Sequence, residues 1–321
     1  MEKKGDLGVN VMIRTESLSF SYKDGDNTGS SVKEQVLDHI DLTIEKGSAM
    51  VILGENGSGK STLAKCFNAL LQPVEGRVLV KGMDTSEEQH LWDIRSSVGM
   101  VFQNPESQIV SSIVEEDVAF GPENLGVPPE QLRERVDHAL KSVGLYELRE
   151  RSSHELSGGQ KQREAIAGVL AMQPECIVFD EATAMLDPQG RNDVLSIMKD
   201  LHMAGITTIH ITHFMEEALQ ADRVIVLQNG RVIGDGTPET VFADEEMIRS
   251  AGLEMPHSLT IRRLLRKQGI QIPDSVMDLE QLADYLTEMK AGLSAAVSEE
   301  ESSERTGGYE FPGKDSRIHE N

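Results

Sequence analysis

Residues 54 to 61 read Gly54-Glu55-Asn56-Gly57-Ser58-Gly59-Lys60-Ser61, two glycines enclosing four residues and followed by Lys and Ser. The short apolar run Ala49 to Leu53 feeds this loop, and Ser61 to Leu71 leaves it with apolar residues at helical spacing. Strand, glycine loop and helix in that order begin an α/β domain. The glycines let backbone N–H groups close around an anion at the positive end of the following helix, which makes the loop a candidate phosphate cradle.

A second feature lies far downstream. Cys176-Ile177-Val178-Phe179-Asp180-Glu181 is an apolar run ending in two adjacent carboxylates. Read as a buried strand, it delivers both acids to the carboxyl edge of the sheet, where open α/β sheets bind ligands. Adjacent strand residues point to opposite sides, so the two acids are expected to divide their work, Asp180 holding Mg²⁺ and Glu181 polarising a water as general base. Between these features, Leu156-Ser157-Gly158-Gly159-Gln160 opens a helix and offers a further anion site at its N-terminus.

The rest of the chain fits around that frame. Segments 17–22 and 36–44 alternate apolar and polar residues and are predicted as antiparallel strands, separated by a polar loop at 24–31. From about 104 to 170 the pattern turns helical, with predicted helices at 114–120, 129–143 and 158–171. Strands return at 177–179, 207–211 and 224–227, alternating with helices at 189–203 and 215–220, as a parallel sheet with crossovers requires. Beyond 245 two amphipathic helices are predicted, 258–268 and 278–289, the second with Leu279, Leu282, Ala283, Leu286 and Met289 on one face. The acidic, Ser- and Gly-containing residues from Val297 read as a disordered tail.

A formal charge of −23 disfavours nucleic acid and anionic lipid as direct partners. No apolar run reaches the length of a membrane span, and Met1-Glu2-Lys3-Lys4 lacks the apolar core of a signal peptide. The chain is therefore expected on the cytoplasmic side, meeting the membrane only through protein partners. Cys66 and Cys176, outside any metal-ligand spacing, read as reduced, buried thiols.

Taken together, the phosphate loop, Ser157 to Gln160 and Asp180-Glu181 resemble the ABC ATPases from about Met12 to Asp244. The resemblance implies a P-loop NTPase fold: a RecA-like parallel sheet core, an N-terminal antiparallel β subdomain and an inserted helical subdomain at about 104–170. A small helical extension follows at 245–290, then a tail at 291–321. The implied ligands are ATP and Mg²⁺. Gly54 to Ser61 with Thr62 would hold the phosphates, Lys60 bridging β- and γ-oxygens and Ser61, Gln103 and Asp180 serving the metal. Gln103 and His213 would sense the γ-phosphate beside Glu181, and Tyr22 would stack on adenine. In this family Ser157, Gly158, Gly159 and Gln160 face ATP held by an opposite subunit, and Asp187 links the two sites. Two chains would thus meet head to tail around two ATP molecules. Ala184 stands where the family more often has Ser, which leaves one cross-interface hydrogen bond in doubt.

Within the superfamily, segments 103–108, 120–128 and 253–269 are similar to the ATPase subunits of energy-coupling-factor transporters and their cobalt-uptake relatives, most of all the first of the paired ATPases. That likeness implies a second ATPase subunit, identical or not, together with a transmembrane coupling subunit and a substrate-binding membrane subunit. Uptake of vitamins, cofactor precursors or transition-metal ions would be the function, at the cytoplasmic face of the cell membrane. Residues 103–120 would dock the coupling helices and the C-terminal helices would add a dimer contact. The alternatives are an ATPase of another ABC importer, or a non-transport ABC ATPase of DNA repair or translation. Against these, the helical stretch is too short and broken for a long coiled coil, and there is a single phosphate loop.

Overall fold

Alternation of buried residues along the strands explains the layering. In the computed structural model, which describes residues 10–22 and 35–291, two sheets share one core. The loop at 24–31, residues 1–4 and the tail from 297 lie outside the described residues. The chain divides into two units, Met1–Pro256 and His257–Asn321.

In the first unit, β1 (Val11–Ser21) pairs antiparallel with β2 (Gln35–Glu45) on one side and with β4 (Glu75–Val80) on the other, and β5 (Met83–Asp84) extends that sheet. The second sheet runs in the order β10 (Arg231–Gly236), β9 (Arg223–Gln228), β3 (Ala49–Leu53), β8 (Thr207–Thr212), β7 (Cys176–Asp180), β6 (Val98–Val101). All its pairings are parallel except β9 with β10. This is the mixed architecture expected, with β3 at the centre and the phosphate loop at its carboxyl end.

Period-2 alternation sends successive residues of β7 into different cores. Cys176 and Val178 join the core between the two sheets, with Phe67 of α1 (Lys60–Phe67), whereas Ile177 and Phe179 join the core beneath the helices. Helix α2 (Leu91–Ser97) leads into β6, that second core binds α3 (Val114–Asn124), α4 (Pro129–Ser142), α5 (Gly158–Ala171) and α6 (Pro188–Met203) to the sheet, and α7 (Pro238–Ala243) and α8 (Glu245–Ser250) follow β10. Both thiols are buried, and burial pushes the Cys66 pKa up to about 12 and that of Cys176 up as well, so neither is a ready nucleophile.

Two boundaries and one buried face differ from the sequence reading. Helix α3 continues through Gly121 and Pro122 to Asn124. The glycine allows a close approach there, since a Cβ at 121 would come within 2.8 Å of the Met172 side chain, just past the end of α5. The segment predicted as helix 215–220 is a 3-10 turn over Met215–Ala218, four residues being too few for an α-helix to propagate. In the second unit, α9 (His257–Lys267) and a helix over 279–291 bury Ile272, Val276 and Leu282, with Leu265, Tyr285 and Leu286 packed around them. Leu279 and Ala283, expected on the buried face, are exposed. The buried stripe runs instead through 282, 285 and 286, where the Tyr285 hydroxyl also reaches the Gln271 carbonyl at 2.9 Å. Among the described residues, no helix is long and apolar enough to cross a membrane.

Candidate functional site

Helix caps reveal where this molecule keeps donors in reserve. Ser157, Asp187, Thr237 and Asp244 each cap the helix that follows with a side-chain oxygen. Helix α1 begins after Gly59, whose φ of 103° is open to few other residues and which supplies no side-chain cap. The first N–H groups of α1 are thus left for a ligand, at the end where the helix dipole is positive. Gly57, also at positive φ, faces open space, so the backbone can lie directly against a bound group. Gly54 is fixed for the opposite reason: a Cβ there would lie 2.4 Å from the Leu227 carbonyl oxygen. The Ser58 hydroxyl is buried without a hydrogen-bond partner, a polar atom aimed into the same loop.

Lys60 is almost fully buried, and its ammonium donates to the carbonyls of Gly54 at 2.8 Å and Glu55 at 3.0 Å. Burial lowers its pKa, while the carboxylates of Glu181, Asp180 and Glu55 pull it back up. Ser61 donates to Asp180 Oδ1 at 2.6 Å, joining the helix start to the end of β7. Desolvation raises the Asp180 pKa, and the Ser61 hydrogen bond and the charge of Lys65 offset part of that rise. A hydroxyl and a carboxylate held side by side make a hard-oxygen donor set of the kind that suits Mg²⁺ with phosphate and water completing its shell.

Glu181 departs from the sequence reading. The strand ends at Asp180, and Glu181 turns into the left-handed region with φ 51°, its N–H bonded to the Ile211 carbonyl at 3.0 Å. Its carboxylate therefore does not point away from that of Asp180 as on a continuing strand. It lies 3.9 Å from Lys60, accepts from Gln103 Nε2 at 3.1 Å, and stands 3.7 Å from His213 Nδ1. A non-glycine residue in this conformation costs about 1–2 kcal/mol. Gln103 follows β6 and His213 follows β8, so the carboxyl ends of β3, β6, β7 and β8 deliver Lys60, Gln103, Asp180, Glu181 and His213 to one place.

The other expected residues occupy two further positions. Tyr22, just past β1, is half exposed, its hydroxyl 3.1 Å from Thr62 Oγ1 and its ring edge-on to Phe20 at 4.9 Å. Ser157 and Gln160 form a reciprocal capping box on α5, and Gly159 meets Gly190 of α6, whose N–H donates to Asp187 at 2.7 Å. The signature segment, residues 156–160, and the Asp187 loop thus form a second cluster, with Ser157, Gly158, Met185 and Asp187 exposed, while Glu55, Asn56 and Gly57 are exposed on the phosphate loop.

Sequence reasoning missed one group. Glu217 is buried among Thr183, His210 and Thr212 behind His213, and only the fold brings those four positions together.

Beside Gln103 lies a groove of about 790 Å³ lined by Trp92, Phe102, Gln108, Val110, Phe120 and Met172. Trp92, Val110 and Phe120 are exposed. Gln108 ties the groove to the site: its side chain accepts from the Phe102 N–H at 3.2 Å and donates to the Ala165 carbonyl of α5 at 3.3 Å.

Comparison with known proteins gives concordant results. The ABC transporter family model matches residues 37–184. The energy-coupling factor transporter ATP-binding protein EcfA1 of Caldanaerobacter subterraneus subsp. tengcongensis is 55% identical over 276 residues, 86% of this chain and 98% of that one. EcfA1 of Clostridioides difficile is 50% identical over 279 residues, 87% and 99% of the two chains. Among solved structures, cbiO1 of Clostridium perfringens, described as part of the ABC transporter complex cbiONQ, is similar with a TM-score of 0.67 and 37% identity, covering 81% of this chain and all of that one. The ATP-binding cassette MJ0796, solved as a dimer bound to ADP and Pi, has a TM-score of 0.63 and 29% identity, covering 71% and 99%.

Proposed function

The chain belongs to the ABC transporter ATPases, among the ATP-binding subunits of energy-coupling-factor transporters, and from that premise we propose how its residues carry the work. The observation that carries the reading is the convergence of Lys60, the Ser61–Asp180 pair, Gln103, Glu181 and His213 on the uncapped start of α1. ATP binds with its β- and γ-phosphates in loop 54–61, against the free N–H groups of α1 and Lys60, and with adenine on Tyr22. Ser61, Asp180 and Gln103 would hold Mg²⁺, which when bound would neutralise charge on the phosphates. Glu181, oriented by Gln103 and beside His213, takes the proton of the attacking water, and His213 contacts the γ-phosphate.

Ser157 to Gln160 and Asp187 serve the site of a facing ATPase subunit, a second copy or a similar chain. Both clusters being exposed supports a dimer closed by ATP and opened by hydrolysis. The groove beside Gln103 receives a helix of a transmembrane coupling subunit, which works with a substrate-binding membrane subunit in the uptake of a vitamin, cofactor precursor or transition-metal ion. An apolar rim of Trp92, Val110 and Phe120 suits an amphipathic helix, and Gln108 links that seat to α5. The chain thereby works at the cytoplasmic face of the cell membrane, held there by protein contacts.

Affinity capture of the tagged chain from detergent-solubilised membranes, followed by mass spectrometry, tests this reading. Integral membrane subunits and an ATPase should be recovered, and W92E should lose the membrane subunits while keeping the ATPase. Capture of ribosomes or DNA-bound proteins, with hydrolysis stimulated by RNA or DNA, would overturn it.

A further inference from the structure

Glu217 has a side chain only 3% exposed, and a carboxylate so placed is costly unless several donors satisfy it. Its Oε2 accepts from Thr212 Oγ1 at 2.6 Å, His210 Nε2 at 2.7 Å and Thr183 Oγ1 at 3.1 Å. Burial works to raise its pKa, but the hydrogen bond and charge of His210, with the two hydroxyls, hold it below the ordinary carboxylate range. Each donor adjoins a residue of the nucleotide site: Thr212 precedes His213, His210 lies on the same strand, and Thr183 is two residues past Glu181.

The remaining oxygen, Oε1, makes no hydrogen bond and lies 3.7 Å from Arg191 Nε. Arg191 sits in the first turn of α6, its N–H bonded to the Asp187 carbonyl at 2.9 Å. Its guanidinium stands 3.6 Å from the centre of the Phe214 ring, which in turn lies 4.2 Å from the His213 ring. A cation at that distance from an aromatic face is attracted to it. His213 is 39% exposed and beyond hydrogen-bond distance from Glu181, so its neighbours on the chain set its position.

We propose that Glu217 and Arg191 are positioning residues for His213: Glu217 anchors the strand end that carries it, and Arg191 couples its ring pair to the Asp187 loop. Movement of that loop, when a facing subunit docks, is then transmitted through one turn of α6 to the group that contacts the γ-phosphate. Oε2 is saturated whereas the Oε1–Arg191 pair is longer than a hydrogen bond, so the Arg191 link is the adjustable one. The proposal rests on the assignment of His213 made above.

The test is steady-state ATP hydrolysis by the full chain, purified with the membrane proteins it captures, comparing R191A, E217Q, H213A and R191A/H213A. Arg191 is partly exposed and E217Q preserves shape, so both variants should fold, which thermal unfolding checks. R191A and E217Q should each lower kcat by roughly tenfold or more with KM for ATP little changed. Adding R191A to H213A should cost nothing further, because both act through one group. Multiplicative losses in the double variant, or a wild-type kcat in R191A, would overturn the proposal. If H213A itself hydrolyses normally, the assignment of His213 has failed instead.

Discussion

Tyr22 illustrates how much a single side chain reveals only in three dimensions. An aromatic in an alternating segment is ambiguous between core and ligand contact, but it stands one residue past β1, half exposed, with its hydroxyl on Thr62, the neighbour of Ser61. A ring in that position serves a base better than a core. Stacking on a base is worth about 1–3 kcal/mol, so Tyr22→Ala should weaken ATP binding by roughly 5- to 150-fold in equilibrium titration, while Tyr22→Phe should stay within a few-fold. Equal loss in both variants would place the effect in the Thr62 contact. Glu181 shows the complementary limit. Its adjacency to Asp180 is plain in the sequence, but its turn to φ 51° depends on the Ile211 carbonyl of another strand, which no local pattern encodes. Glu217 was equally hidden, because its partners at 183, 191, 210 and 212 share no spacing.

Helix α5 joins the signature to the interior and carries an electrostatic burden of its own. Its start at Ser157 was legible from residue type, as was the strand, loop and helix around Lys60, whereas the reciprocal Ser157–Gln160 capping box shows only in the structure. Glu164, one turn further along, was not, since its environment comes from other elements. It is fully buried, one oxygen accepting from Ser153 at 2.5 Å and the other unsatisfied, with Asp117 adding repulsion. Burial first, then the charge of Asp117, outweigh the Ser153 hydrogen bond and push its pKa up to about 7 from 4.5. The folded state therefore binds the proton more tightly than the unfolded chain. The resulting stability is fully present below pH 4.5 and is lost as pH rises through 7. Relative to the wild type, E164Q should gain on the order of 3 kcal/mol in unfolding free energy between pH 4.5 and pH 8, read from denaturant titrations at both ends. A difference that does not change with pH would show that Glu164 titrates normally.

On the reading proposed above, the chain divides its chemistry between two clusters, the phosphate loop with its carboxylates and the signature segment with the Asp187 loop. On the same reading, the apolar groove beside Gln103 would give the first of these a route to a membrane partner. Element order and the α/β class could be read from hydrophobic periodicity because β2 of the antiparallel sheet buries alternate residues whereas β6, β7 and β8 are buried on both faces, β6 and β7 reading as near-continuous apolar runs; the boundaries at Asn124 and Ala218 could not, because packing against Met172 and the burial of Glu217 belong to the tertiary structure. Central to the proposed function is Glu181 as the base for hydrolysis at a site built on Lys60, Ser61 and Asp180. The most direct measurement is ATP turnover by Glu181→Gln, with ATP affinity determined on the same preparation. Turnover should fall by about 10²-fold or more with affinity unchanged; near-normal hydrolysis by E181Q would contradict it.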